Sequence, residues 1–157
     1  MMARHVVDTN VLVVADERAD HARSGCIEQC IAELEMLSTE VVVLDFGWEI
    51  LGEYQANMDP TSQAGPGFMF YKWLLTSQTN QRCVHFVTLT PEADWSYVEF
   101  PHDADLAAFD RSDRKFVAAA CAAGPDTRLV TAVDTDFHQY RAELGRYLAL
   151  DIPPACC

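Results

Sequence analysis

The chain has 157 residues, half of them hydrophobic, with 24 Asp and Glu against 11 Lys and Arg and a formal net charge of −13. That length suits one domain, residues 1–157, with enough chain for a real core, and the hydrophobic fraction excludes a disordered acidic tail. The charge argues against a nucleic-acid binder with a broad basic face, although carboxylates gathered around metal ions also make a chain acidic. No uncharged apolar run approaches ~18 residues, so no membrane-spanning helix is expected. Met1–His5 has no apolar core of the kind a signal peptide carries. A cytoplasmic location is therefore expected. The six cysteines, Cys26, Cys30, Cys83, Cys121, Cys156 and Cys157, form no CxxC pair and are expected to be reduced thiols. A zinc site on Cys26, Cys30 and His21 is the minor alternative.

In chain order, residues 4–7 are a short β-branched run that meets the polar triplet Asp8-Thr9-Asn10, which reads as a strand ending in a loop, with a second apolar run at 11–14. Ile27, Cys30, Ile31, Leu34 and Leu37 recur at helical spacing and predict a helix over 22–37. Val41–Leu44 is apolar throughout, as a strand covered on both faces should be, and Asp45 ends it. A helix over about 47–56 stops before Asp59-Pro60. Residues 61–67 are a loop by composition, 68–75 an aromatic-rich helix, 84–89 a third strand and 90–105 polar and irregular. Ser112–Ala123 is a small-residue helix closed by Gly124-Pro125. Strands over 129–133 and 147–152 flank a helix over 137–145. Apolar strands alternating with helices predict an α/β fold, a three-layer α/β/α sandwich with a mostly parallel central sheet.

In such sheets ligands bind outside the carboxyl ends of the strands. Asp8 follows the first strand, Asp45 ends the second, Glu49 and Glu53 sit one turn apart on the next helix, and Asp134 and Asp136 follow the fourth strand. Asp110 and Asp113 open the helix before it. Crowded carboxylates must take up protons, find basic partners or bind a cation. An oxygen-only donor set points to a hard cation, Mg2+ or Mn2+, and such ions on carboxylates serve phosphodiester hydrolysis.

These residues also carry a family resemblance. Val7-Asp8-Thr9-Asn10-Val11-Leu12 resembles the opening motif of the PIN domain, and Trp48-Glu49-Ile50-Leu51-Gly52 its second motif. Asp110-Arg-Ser-Asp113 with the helix that follows resembles the third, and Leu129-Val-Thr131-Ala-Val-Asp134-Thr-Asp136-Phe137 the fourth. The resemblance implies a Mg2+- or Mn2+-dependent endoribonuclease, with VapC-like toxins of toxin–antitoxin pairs among its relatives. It implies RNA as substrate, an antitoxin protein and a homodimer as partners, and no membrane. Asp8, Glu49 and Asp113 would be metal-binding carboxylates with Asp134 the fourth, while Asn10 and Thr131 would orient them by hydrogen bonds. The fourth acid stands one place late, because Val133 occupies the usual position, so Asp134 and Asp136 both stay open for that role.

Glu53 reads as a surface acid, and Asp110 as a helix cap at least as well as a ligand. Pro60–Pro91 holds no Asp or Glu but carries Lys72, Arg82, Phe68, Phe70, Tyr71 and Trp73. It is expected to be an RNA- or partner-facing surface, or else core. Lys72, Arg82, Arg114 and Lys115 are the candidate phosphate contacts. The alternative to an enzyme is a degenerate PIN scaffold that binds RNA or a protein partner without cutting. A phosphorylated-aspartate receiver fits less well, since no DxDxT follows the first strand.

Overall fold

The computed structural model describes residues 3–20, 22–61 and 65–157. Along the chain come β1 (Arg4–Val7), α1 (Thr9–Ala15), α2 (Ser24–Leu37), β2 (Val41–Asp45), α3 (Glu49–Asn57), α4 (Pro66–Ser77) and β3 (Val84–Val87). A small antiparallel hairpin, β4 (Pro91–Glu92) and β5 (Ser96–Tyr97), follows. The chain then continues through α5 (Arg114–Ala123), β6 (Arg128–Val130), α6 (Thr135–Gln139), α7 (Arg141–Leu144) and β7 (Ala149–Asp151). Five strands form one parallel sheet in the order β3-β2-β1-β6-β7. The α/β sandwich expected from the alternating pattern is the fold observed.

Every residue of β2 is buried, which is why its sequence runs apolar without alternation. On one side α1, α2 and α4 pack on one another, and α5 lies across β1, β2, β3 and β6. The small residues of α5, Ala118, Ala119 and Ala120, are wholly buried and let the helix sit close to the strands. Among the described residues no helix is long and apolar enough to cross a membrane.

The structure differs from the sequence expectation in four places. Thr9 and Asn10, expected in a loop, instead open α1, which starts directly after Asp8 and buries Val11, Leu12, Val14 and Ala15. The loop expected over 61–67 ends at Gly65. Pro66 and Gly67 open α4, whose first amides donate to the Asp16 carboxylate, Gly67 N at 2.7 Å and Phe68 N at 3.0 Å. That cap comes from a residue 51 positions away, so no local pattern announces it. Ser62, Gln63 and Ala64 of that loop, and His21 of the zinc alternative, lie outside the described residues. The helix expected over 137–145 is two short ones, α6 and α7, meeting at Tyr140. Cys26 and Cys156 are not free thiols but a disulfide, formed because the last turn, Pro154–Cys156, folds back onto α2. Cys30, Cys83, Cys121 and Cys157 are free.

The packing of α4 against α1 depends on a missing side chain. A Cβ on Gly67 would lie 2.2 Å from the Leu12 carbonyl oxygen, whereas one on Gly52, within α3, would meet nothing inside 4 Å. Gly67→Ala is therefore expected to destabilise the fold by about 1–3 kcal/mol. Gly52→Ala should stabilise it by about 0.5–1 kcal/mol, as replacing glycine inside a helix does. Urea-unfolding midpoints that move in the same direction for both variants would refute this account of the contact.

Candidate functional site

The strand order reverses between β1 and β6. The chain adds β2 and β3 on one side of β1 and places β6 and β7 on the other. The carboxyl ends of these two neighbours form the crevice where such sheets bind ligands. Asp8 leaves β1 there, and Thr131 and Asp134 leave β6. The Asp8 amide donates to the Val130 carbonyl at 2.9 Å, which locks the two strand ends together.

Asp8 is 3% exposed. Its Oδ1 accepts from the Asn10 amide at 3.5 Å as the N-cap of α1, and its Oδ2 accepts from the Thr131 hydroxyl at 2.8 Å. Asn10 Nδ2 donates to Thr131 Oγ1 at 3.3 Å, and Asn10 Oδ1 accepts from the Ala132 amide at 3.0 Å. Asn10 and Thr131 thus position the Asp8 carboxylate by hydrogen bonds, in the arrangement the sequence suggested.

Asp113 sits in the tight turn before α5 and is buried. Carboxylate oxygens of Asp8, Asp113 and Asp134 lie within 4.8 Å of one another, and a second group of Asp110, Asp113 and Asp136 meets the same limit. Asp113 belongs to both. Asp134 and Asp136, left open by the sequence, therefore fall in different groups. Asp134 also caps α6 by accepting from the Asp136 amide at 2.8 Å. Asp136 in turn accepts from the Asp110 amide at 2.9 Å, and Asp110 caps its own turn through the Ser112 amide at 3.0 Å.

Burial pushes the Asp8 carboxyl up to about 7, with Asp134 and Glu53 adding repulsion and the Thr131 hydrogen bond opposing it. Asp113 is also raised, first by burial and then by the neighbouring Asp8 and Asp134 carboxylates. Among the described residues no Lys or Arg pairs with Asp8, Asp113 or Asp134. An all-oxygen set, two of its three acids buried and none ion-paired among the described residues, has the chemistry of a hard divalent-cation site.

Glu49 does not join these groups. It is exposed at the start of α3, and its carboxylate pairs with the Tyr97 hydroxyl, which burial and Glu49 together push up to about 12. It lines a cleft with Glu92, Asp94 and Trp95. Glu53, one turn further along, adds repulsion to the Asp8 carboxylate. Its carboxylate accepts from the Thr9 hydroxyl and from Lys115 Nζ, the latter at 2.6 Å. Asp45, buried at the end of β2, accepts from the Glu49 and Ile50 amides at 3.0 and 2.9 Å and so holds the start of α3.

The candidate phosphate contacts separate in the same way. Lys115 is engaged by Glu53 and by the Ser112 carbonyl at 2.6 Å. Arg114 is 9% exposed, donates to the Ala107 and Phe109 carbonyls, and stacks over Phe100 at 4.7 Å. It fastens the 100–109 segment and presents no free guanidinium to solvent. Lys72 and Arg82 are exposed, but Arg82 precedes β3 and so sits at the opposite edge of the sheet from Asp8. Phe70 and Tyr71 are core, and Phe68 and Trp73 pack against it, so the aromatics of the 60–91 segment serve mainly to seat α4. Arg111, which the sequence places next to the acidic cluster, is exposed between Asp110 and Asp113.

Asp8 and Asp113 both hold their protons more tightly in the fold than in the unfolded chain. Their contribution to stability is therefore present below about pH 4 and is lost as pH rises through the folded value, about 7 for Asp8. In EDTA, Asp8→Asn should gain on the order of a few kcal/mol over the wild type at pH 8 and nothing at pH 4. Thermal melts of both proteins across that range check this. A gain that does not vary with pH would refute the burial account. No family model matches the chain, and neither a curated protein nor a solved structure matches it significantly.

Proposed function

We propose that the chain is a Mg2+- or Mn2+-dependent endoribonuclease of PIN-like type that hydrolyses RNA phosphodiester bonds. The observation that supports this reading is the Asp8–Asp113–Asp134 group, with Asp8 and Asp113 buried, set at the β1/β6 crevice and paired with no Lys or Arg among the described residues. Asp8, Asp113 and Asp134 would hold one ion, and Asp113 with Asp110 and Asp136 gives the oxygens for a second. When bound, such ions activate water and offset the charge that develops on the phosphate.

The chain's own residues fix the geometry. Thr131 and Asn10 hold the Asp8 carboxylate in one orientation, and supporting hydrogen bonds of this kind tune both affinity and activity. Lys115 and Thr9 fix Glu53 beside Asp8, so Glu53 takes the place that the second motif assigns to Glu49. Arg114, by holding Ala107 and Phe109, sets the position of the turn that carries Asp110 and Asp113. The exposed Arg111 is placed to meet a phosphate that approaches this turn. The toxin of a toxin–antitoxin pair, acting in the cytoplasm and covered by a basic antitoxin or a second copy of itself, is the biological setting this reading favours. Growth arrest on expression alone tests that setting.

Asp8→Asn keeps the α1 cap and should lower Mn2+-dependent RNA cleavage by more than the ~10–100-fold typical of a supporting residue such as Asn10. Glu53→Gln should impair cleavage more than Glu49→Gln. Cleavage that persists in Asp8→Asn, or in excess EDTA, would sink the mechanism. Calorimetric titration with Mn2+ separates an enzyme from a non-cutting scaffold, which would show no site dependent on Asp8 and Asp113.

A further inference from the structure

Away from the carboxylates, three sulfur atoms meet where the last turn of the chain docks on α2. Cys26 and Cys30 lie one helical turn apart on the buried face of α2, 1% and 0% exposed, and Cys156 joins them at 9%. All three sulfurs lie within 4.8 Å of one another, and among the described residues the group contains no carboxylate or imidazole. A cross-link needs only two of them. Cys26 and Cys156 make it, yet Cys30 Sγ sits 3.9 Å from Cys156 Sγ.

The docking does not depend on the disulfide alone. The Ala155 amide donates to Gln29 Oε1 at 2.9 Å, and Gly25 lets the turn approach so closely that a Cβ there would sit 3.3 Å from the Ala155 Cβ. The sulfurs are therefore held together by contacts that reduction leaves intact.

The geometry points to a second metal site, in which the Cys26, Cys30 and Cys156 thiolates of the reduced protein bind a soft monovalent cation, Cu+. Soft thiolates select Cu+ and Zn2+. Structural zinc takes four ligands, and among the described residues three sulfurs meet here, a number that suits Cu+. The disulfide and the metal exclude each other. A dithiol supplies two electrons and two protons and becomes a disulfide, or a phosphine supplies the two electrons and becomes its oxide while water gives the oxygen and two protons; either yields the Cys26 and Cys156 thiols, and the cation then displaces thiol protons to solvent. The site is independent of the nuclease reading.

The test uses the full chain, reduced with a phosphine under argon and titrated with Cu+ against bathocuproine disulfonate. One Cu+ per chain should be retained by the wild type and by Cys83→Ser, and lost in Cys30→Ser. The oxidised chain should retain none until it is reduced. Retention by Cys30→Ser, or none by the reduced wild type, overturns the proposal. X-ray absorption on the copper-loaded wild type reads the site without any variant: three sulfur neighbours support it and two overturn it. Displacement of the copper by an equal concentration of Zn2+ overturns the choice of cation.

Discussion

A carboxylate that is almost wholly buried at the end of a strand sets the terms for everything around it. Asp8 cannot sit between β1 and β6 without donors, and the chain supplies the Asn10 amide and the Thr131 hydroxyl. Meeting the first forces α1 to begin at Thr9. Meeting the second ties the segment after β6 to the segment after β1, and Asn10 closes the arrangement by accepting from Ala132. The crevice at the reversal of strand order is thus held shut by the same bonds that aim the carboxylate into it. Asp113 comes from the turn that starts α5 and meets Asp8 and Asp134, and among the described residues no Lys or Arg pairs with any of the three. Burial is costly for Asp8 and Asp113, and their raised affinity for protons is the measure of that cost. A site that is uncomfortable when empty of cations gains most when one binds.

The sheet was legible because buried parallel strands leave a plain mark. Val41–Leu44 has no polar residue, and the structure covers it on both faces. The acids at strand ends were legible for the same reason, since a carboxylate directly after an apolar run has few places to be except the carboxyl edge. What was hidden depended on phase and on distance. Glu49 and Glu53 share a helix face by spacing, but only the actual position of α3 shows that Glu53 adds repulsion to Asp8 while Glu49 turns toward Tyr97. Thr9 and Asn10 read as loop beside the apolar run at 11–14, but burial against α2 and α4 makes the whole segment helix. The cap of α4 and the Cys26–Cys156 bond join residues 51 and 130 positions apart, a separation at which local pattern carries no signal.

The hairpin between β3 and α5 shows how an irregular stretch becomes part of the site's rim. Composition marked 90–105 only as polar. In the fold its strand β5 lies against α5 and brings Tyr97 to the Glu49 carboxylate. Trp48, before α3, and Trp95, in the hairpin turn, hold left-handed backbone with φ of 61° and 60°, a conformation bulky residues rarely adopt. Trp95 is also 82% exposed, an unusual state for tryptophan beside a cleft. Strain of this kind costs on the order of 1–3 kcal/mol per residue and persists only where the surroundings hold it. The turn that Asp94 and Trp95 form is held on the β4–β5 hairpin, and Trp48 is held by the two amides that Asp45 accepts.

The net charge takes on a different meaning in this light. Seven of the acids, Asp8, Glu49, Glu53, Asp110, Asp113, Asp134 and Asp136, lie in or beside the motifs and account for about half of the excess negative charge. They do not all act as charges. Asp113 keeps its proton at neutral pH in the metal-free fold, Asp8 titrates near it, and Glu53 is neutralised by Lys115. The composition therefore overstates the field around the crevice. Cation binding would convert protonated, mutually repelling acids into ligands and would release protons as it did so. An acidic surface that repels a polyanion at long range can then coexist with a crevice that accepts a phosphate at short range, because the two are governed by different charges.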